Sequence, residues 1–556
     1  LADFFLFSPS SATQHEREVL TMISTMADDT ATTTAVSSDT ITSVTDYTGD
    51  DNVVQLERKR GKGFLLTNAK SGGMKRLIPS EAAKIVPFFL RMKLAWDTET
   101  CCWMWWEKTH WDIHLTGAKA AHEIDLVVDD GMFPVGYTPR ILKEIIDTIK
   151  TKEFLPLPPL VEGKIPFING LLDPDNKTLV RSTPMNGMSW CLPYRYDESA
   201  GCPEIISWLK RCVGENPGTV NLLLCWLAAL VRGIHLQYFV MLIGAGGSGK
   251  GTFQRLAMAM VGEQNYVSTS LNDLENDKFE PARIVGKRLC LVNEAGRHGG
   301  AVNALKALIG GDTMKIERKH VQSSGNFVFS GLVLMASNEQ LQTTDSTSGI
   351  ERRRVTIRFP VAASSDERWN WRERGGESMV LHTEIPGLIN KLLKIPVAKI
   401  HEAFEVLPES VMEENLEAMV TSNSVADWMT SRTLPALKVW CQTGTINKIR
   451  DPISGLMRCE FEWTRLYPNY ISWCESNGRT RPVSIRKFSS TVVDIAVKLG
   501  HRVYASRDQR GTGLGIHGIA LLTRDESEYK SHDARRLWMK LGPKELEKRC
   551  PYDEHP

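Results

Sequence analysis

Residues 239–252 read FVMLIGAGGSGKGT, and they decide the fold. An apolar run, Tyr238–Ile243, predicts a buried strand that stops abruptly at Gly244. A loop follows through Gly246, Gly247, Ser248 and Gly249 to Lys250, and from Thr252 the chain reads as a helix, FQRLAMAMVG. Glycines at this spacing let backbone N–H groups turn inward around phosphate oxygens without a Cβ in the way. A lysine at the loop's end supplies a charge to the β- and γ-oxygens, and the helix N-terminus adds its dipole. The cofactors expected are therefore ATP and Mg2+. One position departs from the usual pattern: Gly251 stands where a hydroxyl side chain ordinarily holds the metal. Thr252, one residue on, is the remaining hydroxyl for a phosphate or for Mg2+.

Downstream, apolar strands recur with polar residues at their ends. Arg288–Val292 (RLCLV) leads into Asn293-Glu294, about 44 residues after Lys250. A carboxylate at such a strand end can hold Mg2+ through water and can orient or deprotonate an attacking water. Many nucleotide-driven motors carry two acids here; this chain has one, so Glu294 is expected to serve both duties. A third strand, Gly331–Ala336 (GLVLMA), leads into Ser337-Asn338, where an amide can bond both the γ-phosphate and the water. Arg352 and Arg353 then precede VTIRF. An arginine fork at that place suits insertion into a neighbouring subunit's site. The catalytic set expected is Lys250, Glu294, Asn338, Arg353 and Arg352. Alternating strands and helices across 236–362 define an α/β core.

Outward from this core, the 556 residues are too many for one domain. Residues 1–60 are rich in Ser, Thr and Asp and are expected to be a flexible arm. Residues 61–164 read as a small mixed domain with a tryptophan cluster, 165–235 as an α-rich domain before the core, and 363–432 as a linker and helical region. Within the last, SSDERWNWRERGGESM reads as an insertion or linker. Residues 433–526 give helix, turn, helix and a Gly-rich hairpin, the order of a winged helix, and 527–556 form a charged tail. Arg479, Arg481, Arg486, Lys487, Arg502, Arg507 and Arg510 would supply phosphate contacts there, unless that face is a solvated or protein-docking surface. Trp103, Trp105, Trp106 and Trp111 are expected to pack a β-domain and not to stack bases. Cys101, Cys102, His110 and His114 tempt a zinc reading, but adjacent cysteines make a poor tetrahedral pair. Asp125 with Asp129-Asp130 could suggest a polymerase acid pair, in a region too short and irregular for a primase.

Charge and composition narrow the partners. With 67 basic and 66 acidic residues the formal net charge is +1, so any nucleic-acid surface must be a local patch or a ring lining. Eleven cysteines without a CxxC spacing suit free thiols in a reducing compartment. No apolar run reaches the roughly 18 residues that a membrane span needs. A cytoplasmic setting and no membrane partner are expected. The chain starts at Leu1 and is expected to be a piece of a longer product.

Taken in order, the loop, acid, amide and arginine resemble those of the superfamily 3 helicases, in the poxvirus and phage/plasmid primase-helicase branch. PFINGLLD at 166–173, LPYRYDESAGCP at 192–203, LKALIGGDTMKIERKH at 305–320 and EIPGLINKLL at 384–393 carry the likeness further. It covers about 165–400 well, 100–165 and 460–525 more weakly, and nothing before about 60. The resemblance implies an AAA+-like P-loop NTPase core, a hexameric ring with ATP at its interfaces, and single-stranded or forked DNA threaded through the centre. It also implies a hairpin between acid and amide with a basic tip, placing Lys319 and His320 in the channel with Arg318 beside them. A winged-helix-like C-terminal domain and a replication primase or polymerase partner would fit, in viral, phage or plasmid replication. Two other functions stay open: a DNA-loading or initiator ring that does not unwind, and a small-molecule phosphotransferase, because GSGKGT also occurs in adenylate-kinase-like enzymes.

Overall fold

The computed structural model describes residues 54–58, 64–68, 78–114, 117–132, 137–293, 297–298, 302–317, 325–343, 348–450, 455–479, 482–508, 513–524, 534–535 and 537–538. The chain divides into two units, one drawn from residues 1–82 and 125–142, the other from 83–124 and 143–556. In the first, Val54–Arg58 pairs antiparallel with Phe64–Asn68, and the Tyr137 hydroxyl donates to the Asp125 carboxylate.

The second unit is mixed α/β, built on a five-stranded parallel sheet. Helices α1 (Pro203–Cys212) and α2 (Pro217–Arg232) precede strand β1 (Phe239–Ile243) and helix α3 (Lys250–Val261). Then come β2 (Tyr266–Ser270), α4 (Leu271–Asn276), α5 (Glu280–Ile284), β3 (Leu289–Asn293) and α6 (Asn303–Gly310). Short antiparallel strands β4 (Thr313–Lys315) and β5 (Asn326–Val328) lead to β6 (Leu332–Ser337) and β7 (Arg354–Arg358). The sheet order is β2–β3–β6–β1–β7.

Why these strands sit inside follows from their composition. Every residue of β1 is buried, which an apolar run permits only when both faces are covered. Val240 and Leu242 face α1, α2 and α3, whereas Phe239, Met241 and Ile243 face α4, α5 and α6. Helix α2 is almost wholly buried from Thr219 to Val231, so it reads apolar all round instead of amphipathic. Its ends are set locally. The Asn216 side chain accepts from Thr219 N–H, Pro217 stands at the first turn, and Gly233 closes it at φ 72°.

Region 165–235 therefore differs from the α-rich domain expected. It opens with a three-stranded antiparallel sheet, Ile165–Phe167, Gly170–Asp173 and Thr178–Val180. Its helices α1 and α2 share one continuous apolar core with β1 and α3. Burial against the main sheet, and not a core of its own, holds them.

Beyond β7 lie α7 (Ser365–Glu373), α8 (Glu377–Val380), α9 (Ile385–Leu393), α10 (Val397–Glu405) and α11 (Glu409–Ser422). Helix α11 covers the β7 edge: Asn415 Oδ1 accepts from Thr356 N–H at 2.8 Å, and Arg358 pairs with Glu414. An edge strand covered by a helix in this way is a poor template for another chain.

A separate core closes the C-terminal part around Trp428, Tyr470 and Phe488. There α12 (Ser424–Arg432) runs into β8 (Thr433–Gln442), followed by α13 (Leu466–Ser476), α14 (Ile485–Lys498), β9 (Tyr504–Arg507) and β10 (Leu514–Leu521). The strands pair antiparallel in the order β8–β10–β9. The tryptophan region forms a small antiparallel sheet of Leu94–Asp97, Cys102–Trp106 and Trp111–His114. Trp103 and Trp111 are buried in it, meeting Trp96 and Trp106 edge-on at 5.1 and 5.5 Å. No helix among the described residues is long and apolar enough to cross a membrane.

Candidate functional site

From β1 the chain goes to edge strand β2, and from β6 it passes over β1 to β7. The strand order thus reverses beside β1, the place where open α/β sheets hold ligands outside the carboxyl ends of their strands. The glycine-rich loop lies there, running from Gly244 to the start of α3.

Two of its glycines are required by their neighbours. Gly249 has φ +100°, and a Cβ on it would lie 2.7 Å from Cys212 Sγ and 3.5 Å from Trp208 Cζ2. A Cβ on Gly244 would meet the Phe359 carbonyl oxygen at 2.4 Å. The loop is therefore pressed between α1 and the strand-end residue Phe359. Lys250 is 9% exposed, and its Nζ donates to the Gly244 and Ala245 carbonyls at 2.7 and 2.9 Å. Burial lowers its pKa below the ordinary lysine value. Two carbonyls and the Ser248 hydroxyl, at 3.5 Å, are the partners of this ammonium, all of them neutral, so its charge is left uncompensated within the loop. That arrangement suits an anion.

The structure brings only part of the expected set to this mouth. Ser337 pairs with Ile243, so Asn338 and Gly244 leave the sheet side by side, Asn338 exposed. At the end of β3, Asn293 donates to Ser268 Oγ at 2.7 Å and accepts from Gln254, on α3, at 3.4 Å. Glu294, the next residue, lies outside the described residues. Arg353 sits at the other end of the sheet: its carbonyl accepts from Phe239 N–H at 2.8 Å, beside the start of β1. A strand of that length separates it from Gly244 by ~16 Å, beyond its own reach. Its Nη1 donates to the Gly349 carbonyl, burial and then Arg352 lower its pKa, and Arg352 itself is exposed.

Thr252 is engaged within the chain. Its hydroxyl donates to Glu377 Oε2 at 3.1 Å and accepts from Arg255 Nη2 at 3.2 Å. The hairpin between acid and amide has its stem in β4 and β5, with Met314 and Phe327 buried and Asn326 N–H donating to the Glu99 carbonyl at 3.0 Å. Arg318, Lys319 and His320 fall outside the described residues. In the C-terminal part, Arg486 and Lys487 are exposed on α14, but Arg479 pairs with Asp427 at 2.6 Å and is committed within the fold. Arg481 and Arg510 are not among the described residues.

The residues that sequence reasoning missed are those opposite the loop. A cavity of about 320 Å³ opens from Gly247–Thr252, walled by Trp208 and Arg211 of α1, Glu367 and Trp371 of α7, and Glu377 of α8. The segment 363–378 is thus no linker. Ala363 N–H donates to the Gly247 carbonyl at 3.0 Å, Arg211 pairs with Glu367 at 2.9 Å, and Arg374 pairs with Glu204 at 3.0 Å. Glu377 takes a two-pronged contact from Arg255, 2.6 Å at the shorter, which raises that arginine's pKa. A signal was available: two tryptophans, Trp369 and Trp371, stand in a segment otherwise too polar to need them.

Set against known proteins, residues 242–354 match a family of unknown function (DUF5906). Among solved structures the chain is similar to "The A form apo structure of NrS-1 C terminal region-CTR", at 12% identity and a TM-score of 0.39, covering 80% of this chain and 100% of that one. "The apo structure of NrS-1 C terminal region (305-718)" gives the same values.

Proposed function

We propose that the chain is an ATP-hydrolysing motor of the superfamily 3 type, with an AAA+-like P-loop core, that translocates on single-stranded DNA as a ring during replication. The observation that carries this reading is the disposition of the sheet's two ends. The loop that carries Lys250 and the residue Asn338 leave neighbouring strands at the carboxyl end, while Arg353 stands at the amino end, out of reach of its own loop. An arginine so placed can act on phosphate only in a neighbouring subunit, which a closed ring supplies.

Within that reading Lys250 turns from the Gly244 and Ala245 carbonyls to the β- and γ-oxygens of ATP, exchanging neutral acceptors for charged ones. Asn338 orients the attacking water, Glu294 accepts its proton, and Arg353 of the neighbour stabilises charge on the transferring phosphoryl. Magnesium would neutralise phosphate charge, with Glu294 and the Thr252 hydroxyl as the groups that would hold it. Lys319 and His320, with Arg318, would grip the strand from the hairpin braced on β4 and β5. The resemblance in residues 165–400 supports replication as the setting.

Measuring ATP hydrolysis with and without single-stranded DNA, together with strand displacement on a fork, tests this. DNA-stimulated hydrolysis with displacement is expected. Hydrolysis without displacement would assign a loader or initiator ring, and phosphoryl transfer to a small acceptor would assign a phosphotransferase.

A further inference from the structure

The wall facing the glycine-rich loop is aromatic, and its position fits the part of a nucleotide that the loop cannot hold. A loop of this kind reads phosphates only; whatever is attached to them must rest on something else. Two indoles line the same cavity as Gly247–Thr252. Trp208 is 4% exposed and sits directly under Gly249. Trp371, half-buried, comes from α7 and packs against the main core. At about 320 Å³ the cavity lies at the lower end of small-molecule sites, roughly 300–1,000 Å³.

The indole of Trp371 is also held in place. Helix α7 starts from a Ser364 cap, whose Oγ accepts from Glu367 N–H at 3.1 Å. The Ala363–Gly247, Arg211–Glu367 and Arg374–Glu204 contacts then fasten it to the loop and to α1. Each such tie at the surface is weak alone. One tie on the nine-residue helix and one just beyond each of its ends fix its orientation. Trp369, two residues earlier on the same helix, is 62% exposed and bonds Glu373 instead, so the helix sends one indole to the cavity and one to solvent.

We infer that Trp371 forms the platform for the nucleobase of the bound nucleoside triphosphate, that the buried Trp208 shapes the floor of the same cavity under the loop, and that segment 363–377 is the clamp carrying the platform. This rests on the nucleotide reading of the loop and deepens it. Aromatic faces stack on any base, so the platform contributes affinity for a nucleotide over a bare polyphosphate.

The test compares two probes on the full chain by calorimetric titration: a non-hydrolysable ATP analogue and inorganic tripolyphosphate. Trp371→Ala should weaken the analogue about ten-fold while leaving tripolyphosphate unchanged. Trp371→Phe should recover most of the loss, and Trp369→Ala should change neither. An equal loss for both probes would mean that Trp371 only supports the loop, and no loss for the analogue would remove it from the site; either result overturns the platform. A wild-type chain that binds neither probe would fail at the loop itself, a separate outcome that removes the nucleotide reading together with the inference built on it.

Discussion

Two segments of similar length meet across one cavity, 239–252 and 363–377, and they differ in how they are built. The first is dictated locally. An all-buried strand delivers the loop, glycines take the angles, and a helix begins where Lys250 needs it. The second is polar, has no buried residue in α7, and is placed against the loop by partners distant in sequence: Gly247, Arg211, Glu204 and Arg255. The lesson is that phosphate recognition is written into a contiguous motif because backbone geometry performs it. The rest of a ligand can be met by side chains from anywhere.

Removing the charge from the first segment should have the largest effect. Lys250→Ala should reduce ATP turnover by well over a thousand-fold, by loss of the charged contact to the transferring group, with folding retained. Retention of even a tenth of the rate would show that the loop is not the site. Glu294→Gln should instead hold ATP and hydrolyse it very slowly, separating binding from chemistry.

Next in size is the arginine at the far end of the sheet. Arg353→Ala should lower turnover about a thousand-fold if it acts as a finger in trans. Mixing Arg353→Ala with Lys250→Ala subunits should then restore part of the activity, since some interfaces keep one intact lysine and one intact arginine. Mixed rings with no restored activity would withdraw the trans assignment.

The hairpin should separate motor from grip. Lys319→Ala with His320→Ala should leave basal hydrolysis intact while abolishing DNA stimulation and unwinding. The log–log salt slope of single-strand binding should flatten by up to about 4 if six subunits each lose one contact. An unchanged slope with unchanged unwinding would move the grip elsewhere, first to Arg486 and Lys487 on α14.

Smallest should be a change in the second segment away from its indole. Glu377→Gln keeps the shape and removes the charge that holds Arg255 and Thr252. As that arginine is more than half exposed, the expected result is a rise of about two- to five-fold in KM for ATP, with kcat little changed. A fall in kcat as large as that of Lys250→Ala would show that the two segments are one catalytic unit.

How much could be seen beforehand varied with the range of the forces involved. The strands at 239–243, 289–293 and 332–337 were legible within a residue or two, because a continuous apolar run bounded by polar or glycine residues has few other stable outcomes. The packing of α1 and α2 into the main core was not legible, since an apolar helix reads the same whether it closes its own domain or covers a neighbour's sheet. Thr252 illustrates the same limit at one atom: its spacing from Lys250 made it a candidate for Mg2+, and only Glu377, 125 residues away, showed where its hydroxyl goes.

By itself, then, the sequence determined the loop, its lysine, the strands that lead into Asn293 and Asn338, and the strand that the arginines precede, because these depend on backbone angles and on local apolar periodicity. Only the tertiary structure decided that Arg353 faces away from its own loop, that Trp208 and Trp371 share one cavity, and that 363–377 is a wall. Those facts depend on the order in which parallel strands assemble and on contacts between residues more than a hundred positions apart, which no local pattern encodes.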